Sequence, residues 1–382
     1  MKHNLPNYVV VTVIAIAVAF SAAMTGTAHA YQLGNIEVKV RASAAERYDS
    51  NITYASSSVK QDYISTLAGG LDATYEGRLN SMNLTANVNQ DIFAMNPKFT
   101  NTSEDLSFAY MQELTKLDRF SIRDALDHTY QPRNFEDTLG RTSGIYGSFR
   151  NKLNIDYTRD LSKQLSGTLK YFGEIDLFSE PDMSDSYLNQ GGAELTYAFT
   201  SDTILYATYD FYVRSFVNSS SATTNNAGGG IRQFITKQLY VDASGGVSFV
   251  NSYDDTKYTQ PFVYVTITDD INEKTTVKGN FKKEYYASQY EQNIFDYWEI
   301  SGSVTSQLLE RLSGNMNAFY GRGEYLVVDT TDNLFGLNVG ADYELTKRLR
   351  LSASYNFSRT DSNVNTRDYT KNVASVSIRG VF

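Results

Sequence analysis

The stretch from Leu165 to Leu177, LSGTLKYFGEIDL, decides the fold, because an apolar or small residue occupies every odd position along it. Successive side chains of a β-strand point to opposite faces, so this period predicts a strand with one apolar face and one mainly polar face. A tilted strand of about ten residues is long enough to cross the hydrocarbon core of a membrane.

The same pattern returns along the chain from residue 35 to the end. It is clearest in the segments 205–213, 239–249, 335–343 and 349–357, where the intervening residues are mainly polar. In lipid only helices and closed barrels satisfy all their backbone hydrogen bonds, and no other stretch is apolar enough for a helical span. The repeat therefore predicts a closed antiparallel barrel.

Breaks between these segments fall into two alternating classes. One class is short and self-similar, as in Glu344-Leu345-Thr346-Lys347-Arg348-Leu349, and includes 113–117, 160–165, 199–202, 234–239 and 267–271. The other class is longer and polar, and includes 48–61, 130–144, 179–186, 218–226, 251–257 and 359–367. Short periplasmic turns and long extracellular loops are typical of outer-membrane barrels.

The breaks predict an all-β fold, a transmembrane antiparallel up-and-down β-barrel of about 18 strands, with 16 as the alternative. An even number of strands places both termini in the periplasm. A barrel of this size encloses an aqueous lumen, unlike an eight-stranded one. A soluble periplasmic β-solenoid or sandwich is the rival fold, but it would leave the alternating loop lengths unexplained.

The composition agrees with a barrel in an outer membrane. The chain has 29 Tyr and 21 Phe, an excess that suits aromatic girdles at both membrane interfaces. It has no Cys, which excludes thiol catalysis and cysteine ligation of a metal. Its formal net charge of −9 argues against nucleic acid as a partner.

The two ends carry export signals. Residues 1–30 combine Lys2, an apolar run over 9–20 and a small-residue site ending at Ala30, which predicts a cleaved signal peptide. A membrane helix is the alternative, but the run is shorter than the ~20 residues a span needs. Residues 31–382 then form a single barrel domain. Phe382 closes the last alternating strand, and such an ending resembles the signal by which bacterial outer-membrane proteins engage the barrel-assembly machinery.

Enzymatic chemistry has little support in the sequence, and we predict no enzyme, cofactor or metal site. Of three histidines, His3 and His29 leave with the signal peptide, and only His128 remains as a general base. Asp127 cannot orient it, because neighbours on a strand point to opposite faces. The acidic pair Asp254-Asp255 lacks the spacing of a calcium loop, so these residues are expected to be ordinary loop acids.

The lumen wall is then the functional surface. The polar parity of the strands predicts as pore-lining residues Glu37, Lys39, Arg41, Asp72, Lys170, Glu174, Asp210, Arg214, Asp242, Lys278, Lys282, Glu299, Asp342, Arg350 and Arg379. Aromatic residues of the same parity are Phe172, Tyr206, Tyr212, Tyr240, Tyr264, Tyr297 and Phe319; they either fill the wall or stack on sugar rings. A wall of mixed sign does not predict a strongly ion-selective pore.

The longest external loop, 130–144, carries the charged residues Arg133, Glu136, Asp137 and Arg141. In general porins the third loop folds inward and narrows the channel. These four residues are therefore candidates for a constriction, and a simple external loop is an equal alternative.

A family resemblance emerges from three features together. The segment Arg47-Tyr48-Asp49-Ser50-Asn51-Ile52 after the first strand, the recurrent turns such as 343–349, and the terminal Phe382 resemble the family of outer-membrane β-barrel porins encoded with exopolysaccharide biosynthesis genes. The resemblance implies passage of a polysaccharide through the outer membrane, with a periplasmic export protein and an inner-membrane co-polymerase as partners. It implies no catalytic residues.

Two functions follow as hypotheses. The first is an exopolysaccharide-export channel whose wall supplies weak, repeated hydrogen bonds. The second is a general or sugar-selective diffusion porin for small solutes. The alginate-exporting analogue of the family that this chain resembles has a basic lumen. The predicted lumen here has no basic excess, so the resemblance argues against a strongly anionic polymer as cargo.

Overall fold

The computed structural model describes residues 31–130, 145–179, 184–217, 220–287 and 294–382. Within them the strands are β1 (Tyr31–Leu33), β2 (Ile36–Asp49), β3 (Asp62–Glu76), β4 (Asn80–Phe93), β5 (Asn101–Glu113), β6 (Asp118–Thr129), β7 (Ser148–Asp160), β8 (Leu165–Phe178), β9 (Ser186–Ala198), β10 (Thr203–Phe216), β11 (Ser221–Phe234), β12 (Leu239–Asn251), β13 (Lys257–Asn272), β14 (Thr275–Ala287), β15 (Ile294–Leu309), β16 (Leu312–Tyr325), β17 (Thr330–Glu344), β18 (Leu349–Ser362) and β19 (Tyr369–Val381). Two 3₁₀ turns, Pro97–Phe99 and Asn365–Arg367, lie in loops.

Strands β2 to β19 form a closed antiparallel barrel. Each pairs with the next along the chain, and β19 pairs with β2 over Val373–Val381 and Arg41–Asp49. Two backbone hydrogen bonds between Val40 and Phe382 extend this seam. The short strand β1 folds back and pairs with the first residues of β2. These 18 strands, each paired with its neighbour along the chain, confirm the predicted up-and-down barrel. Closure pairs the strand edges that an open sheet would expose along the seam.

The two rims of the barrel differ. At one end, which we call the short-turn rim, the connections contain two to four residues, such as 161–164 and 310–311. The other end, the long-loop rim, carries connections of four residues or more, including 50–61 and 252–256. Phe382 and the start of β2 lie at the short-turn rim. Within the described residues no helix is long and apolar enough to cross a membrane.

The recurrent turn has a hydrogen-bonded cause. In the turn after β17, the Thr346 hydroxyl accepts bonds from the backbone N–H groups of Arg348 and Leu349, at 3.1 and 3.0 Å. Ser162 and Thr236 do the same for the groups two and three residues ahead. A hydroxyl that binds local N–H groups favours a turn, which explains why the motif recurs.

We expect Thr346→Val to lower the free energy of unfolding by about 0.5–1.5 kcal/mol, because it removes both hydroxyl bonds and keeps the side-chain volume. Urea unfolding of the purified barrel in lipid vesicles measures this. Lys347→Ala, at the exposed neighbouring position, is the control and should leave the midpoint unchanged. Equal midpoints for Thr346→Val and the wild type would contradict this role of the hydroxyl.

Several predicted loop boundaries were wrong. Residues 221–226, expected in a long loop, begin β11, and residues 359–362 end β18. The turn expected at 267–271 lies further on, at residues 273–274, because β13 continues to Asn272 through a register shift against β14. The boundaries were wrong because the polar residues of these segments were interpreted as loop. Polar side chains also suit the barrel interior and the strand ends near the rims.

Candidate functional site

The strand registers define an outer and an inner face. On β10 the residues Leu205, Tyr209 and Phe211 belong to the outer face and expose 39–50% of their surface. Tyr206, Asp210 and Arg214 alternate with them and line an internal cavity. Cross-strand partners share a face, so the register carries this assignment around the barrel from strand to strand.

All fifteen predicted pore-lining residues lie at inner-face positions of their strands by this register, as do the seven aromatic residues of the same parity. That they line a conducting pore stays a prediction. The constriction candidates Arg133, Glu136, Asp137 and Arg141 lie outside the described residues, as does the predicted signal peptide, residues 1–30.

Inner-face charges on β4 to β7 were missed. They include Arg150 and Lys152 on β7, and Arg123 and Asp156, which form an ion pair at 2.6 Å. The segment 148–160 itself alternates between polar even positions and mainly apolar odd ones, so the same parity rule would have found Arg150 and Lys152.

Charges on the lumen wall are largely arranged in pairs. Arg41 Nε lies 2.7 Å from Asp72 Oδ2, and Lys170 Nζ lies 2.5 Å from Glu194 Oε2. The two charges of each pair neutralise each other locally. At these positions the described part of the wall therefore has no ring of like charges. The wall therefore offers hydrogen-bonding groups more than a net field.

One cluster of charges is almost inaccessible. Arg214 on β10 donates to Glu174 Oε1 at 2.7 Å, to Asp176 Oδ2 at 3.2 Å and to Ser186 Oγ at 2.9 Å. Arg150 pairs with Asp176 from the other side. Each of the four charged side chains exposes at most 5% of its surface. This charge cluster of Arg150, Glu174, Asp176 and Arg214 joins β7, β8 and β10 near the long-loop rim.

The long-loop end of the β14–β15 hairpin bends into the lumen. Pairing of β13 with β14 ends at Val263–Lys283, although both strands continue beyond it. Beyond that point the Tyr212 hydroxyl of β10 donates to the Tyr285 backbone oxygen at 3.2 Å, across the inside of the barrel. We call residues 284–287 and 294–296 the bent segment.

The bent segment packs against the inner face of the nearby strands β11 and β12. Tyr285, Ala287 and Ile294 form a buried cluster with Ala222 on β11 and Val250 on β12. The Tyr285 hydroxyl also donates to Asp296 Oδ2 at 2.7 Å and to Gln260 Oε1 at 3.3 Å. By alternation alone Tyr285 would face lipid, yet it exposes only 4% of its surface. The bent segment therefore narrows the mouth at the long-loop rim.

A cavity of about 390 Å³ lies between the bent segment and the wall of β7 to β13. Tyr206, Tyr264, Asp210 and Glu284 are among its lining residues. The cavity and the bent segment above it form the candidate functional site, because a solute that passes this half of the lumen meets these groups.

Further packing at the same rim comes from loops and strand ends. Arg367 in the β18–β19 loop donates to Asp332 Oδ2 at 2.6 Å and to the Tyr325 hydroxyl at 3.1 Å. The Lys371 ammonium lies 2.7 Å from Asp49 Oδ2 and 3.8 Å from the centre of the Tyr54 ring. Buried side chains therefore concentrate at the long-loop rim rather than along the whole barrel.

Hydrogen bonds within the β12–β13 loop account for Asp254, one of the two acids considered as calcium ligands. Asp254 accepts bonds from the backbone N–H and hydroxyl of Thr256, at 3.1 and 2.9 Å, which hold the pKa of its carboxyl below the usual value. In the same loop, burial raises the pKa of the Tyr253 phenol. Within the described ranges no cluster of three His, Asp or Glu residues is placed to hold a metal ion.

His128 lies on the outer face, opposite to Asp127. Its Nδ1 is 2.6 Å from Glu104 Oε2, and its ring packs edge-on against Tyr130. The cross-strand pairing of His128 with Glu104 and of Asp127 with Asp105 separates the two side chains. His128 is therefore remote from the cavity.

Comparison with known proteins supports the class of this barrel. Residues 270–382, from the end of β13 to β19, match the model of a family described as "Putative beta-barrel porin 2". This match confirms the resemblance to a β-barrel porin family; it carries no statement about exopolysaccharide. No curated protein sequence matches the chain.

Two solved structures share the fold. The crystal structure of Pseudomonas aeruginosa OpdK with vanillate superposes with a TM-score of 0.52 at 10% identity, over 90% of this chain and 99% of OpdK. A second structure of OpdK from P. aeruginosa gives a TM-score of 0.50 at 10% identity, with the same coverage. The barrel and these matches define an outer-membrane protein with a porin-like fold.

Proposed function

We propose that this barrel is a carbohydrate channel of the outer membrane, and that its cargo is an exopolysaccharide leaving the cell. One observation carries the proposal. The described lumen wall presents paired charges, such as Arg41–Asp72 and Lys170–Glu194, among hydroxyl, amide and aromatic side chains. Such a wall can form many weak hydrogen bonds with a polyhydroxylated chain without holding it by an unpaired charge.

We expect deletion of the gene to lower surface polysaccharide, and expression of the intact chain from a plasmid to restore it. Quantification of extracellular sugar in the deletion strain, the complemented strain and the parent measures this. Unchanged polymer with slower uptake of small sugars would overturn export.

A second candidate is a diffusion porin for small solutes. The narrowing of the mouth by the bent segment favours it. Single-channel conductance with neutral solutes of increasing size discriminates the two. Exclusion of all solutes larger than a disaccharide favours the porin, whereas conductance blocked by long neutral oligomers favours a polymer channel.

The remaining proposals concern orientation and partners. We place the short-turn rim, and with it both ends of the mature chain, in the periplasm, because short turns lie there in known barrels. A periplasmic export protein working with an inner-membrane co-polymerase would then meet this rim. Phe382, which pairs with Val40 at the seam, would engage the barrel-assembly machinery. We propose no catalytic activity and no cofactor.

A further inference from the structure

We propose that the cavity beneath the bent segment is a binding site for neutral sugar residues, and that it excludes acidic ones. The inference rests on the proposed carbohydrate function and adds its place and its selectivity. The cavity volume of about 390 Å³ falls within the ~300–1,000 Å³ typical of small-ligand sites.

The cavity presents aromatic rings. Tyr206 lies against the inner wall over Gly230 of β11, where a Cβ would collide with the ring. Its hydroxyl is held by Asp242 Oδ1 at 2.5 Å. Tyr264, which exposes 38% of its surface, stands beside Phe262 with the ring centres 5.8 Å apart. Fixed, partly exposed rings of this kind can pack against the apolar C–H face of a sugar.

Hydrogen-bond acceptors surround these rings. Asp210 accepts one bond from Gln190 Nε2 at 3.1 Å, and Glu284 accepts one from the Tyr264 hydroxyl at 2.9 Å. A carboxylate can accept about four bonds, so both retain acceptor capacity for sugar hydroxyl groups. Among the described residues nothing donates to the buried Asn226 Oδ1, which also lines the cavity.

The charge of the cavity decides its selectivity. Glu174 is neutralised by Arg214 at 2.7 Å and by Lys152 at 3.4 Å. Asp210 forms no ion pair among the described residues, and Glu284 has only Lys282 at 3.6 Å. The charged residues that line the cavity are three acids, Glu174, Asp210 and Glu284, and two bases, Lys152 and Arg214. Their excess of one negative charge disfavours a carboxylated sugar relative to a neutral one.

The test uses the full mature barrel in detergent and isothermal titration with two probes, maltohexaose and a hexamer of galacturonic acid. We expect maltohexaose to bind and the acidic hexamer not to. Tyr206→Leu and Asp210→Asn should each weaken maltohexaose binding at least tenfold, about 1.4 kcal/mol. Phe319→Leu is the matched control, because Phe319 also lies over a glycine, Gly336, but outside the cavity. The heat-induced mobility shift of folded barrels verifies folding.

Binding of the acidic hexamer as tight as that of maltohexaose would overturn the selectivity, and unchanged affinity in both cavity variants would overturn the site. If Tyr206→Leu fails to fold, the nearly isosteric Asp210→Asn still decides. If gene deletion lowers surface polysaccharide but the purified barrel does not bind maltohexaose, the binding site is refuted and the proposal of export stands. Cavity-dependent binding with unchanged surface polysaccharide would refute export and keep the site.

Discussion

Replacing Arg214 with methionine is expected to destabilise the barrel by about 3–5 kcal/mol, the usual effect of breaking a buried ion pair from one side. The change removes the donor that reaches Glu174, Asp176 and Ser186 together. Both carboxylates expose at most 2% of their surface, so water cannot replace the lost bonds. Urea unfolding in lipid vesicles measures the shift.

The control is Arg350→Met. Arg350 pairs with Glu344 at 3.0 Å on the same inner face, but about half of each side chain is exposed. Such pairs contribute about 0–1 kcal/mol, so this variant should unfold close to the wild type. Arg214→Lys should fall between the two, because one ammonium cannot reproduce the guanidinium fork that spans both carboxylates. Equal midpoints for Arg214→Met and Arg350→Met would refute the role of the charge cluster.

The second large effect is expected in conductance. Tyr285→Ala removes the ring that packs with Ala222 and Val250, a truncation that typically costs about 3–5 kcal/mol in a packed core. Because residues 284–287 do not pair with β13, this packing attaches the bent segment to the inner face of β11 and β12. We expect the segment to leave the lumen and the single-channel conductance in planar bilayers to rise severalfold.

Tyr285→Phe is the matched control. It keeps the ring in the cluster and loses only the hydroxyl bonds to Asp296 and Gln260. Its conductance should stay near that of the wild type. A Tyr285→Ala channel that conducts like the wild type, while the protein remains folded, would show that the bent segment does not limit flow.

Much of the barrel could be predicted from local pattern. The number of strands follows from the alternation of short and long breaks, and the inner-face position of residues such as Asp72 or Arg379 follows from parity. Both are local properties, because side chains of a strand alternate with a period of two whatever the neighbours are. The Ser or Thr of the short turns is equally local, since its hydroxyl binds groups two and three residues ahead.

Predictions failed where a residue type suits two environments. Asn225 and Asn226 were expected in a loop, yet they pair with Phe249 and Ser248 in the β11–β12 ladder. A polar run is compatible with a loop, with the lumen side of a strand and with a strand end at the rim, so only pairing with the neighbouring strand decides.

The sequence by itself determined that this protein is a barrel of about 18 strands and which side chains of its clearly alternating strands face inward, because these depend on period and on turn chemistry. Only the tertiary structure decided which inward groups meet. Arg214 reaches carboxylates on β8, and Tyr285 contacts Tyr212 four strands away because β14 separates from β13 beyond Lys283. Contacts across a lumen depend on closure, register and the path of each strand end, and none of these is encoded in a repeat of two residues.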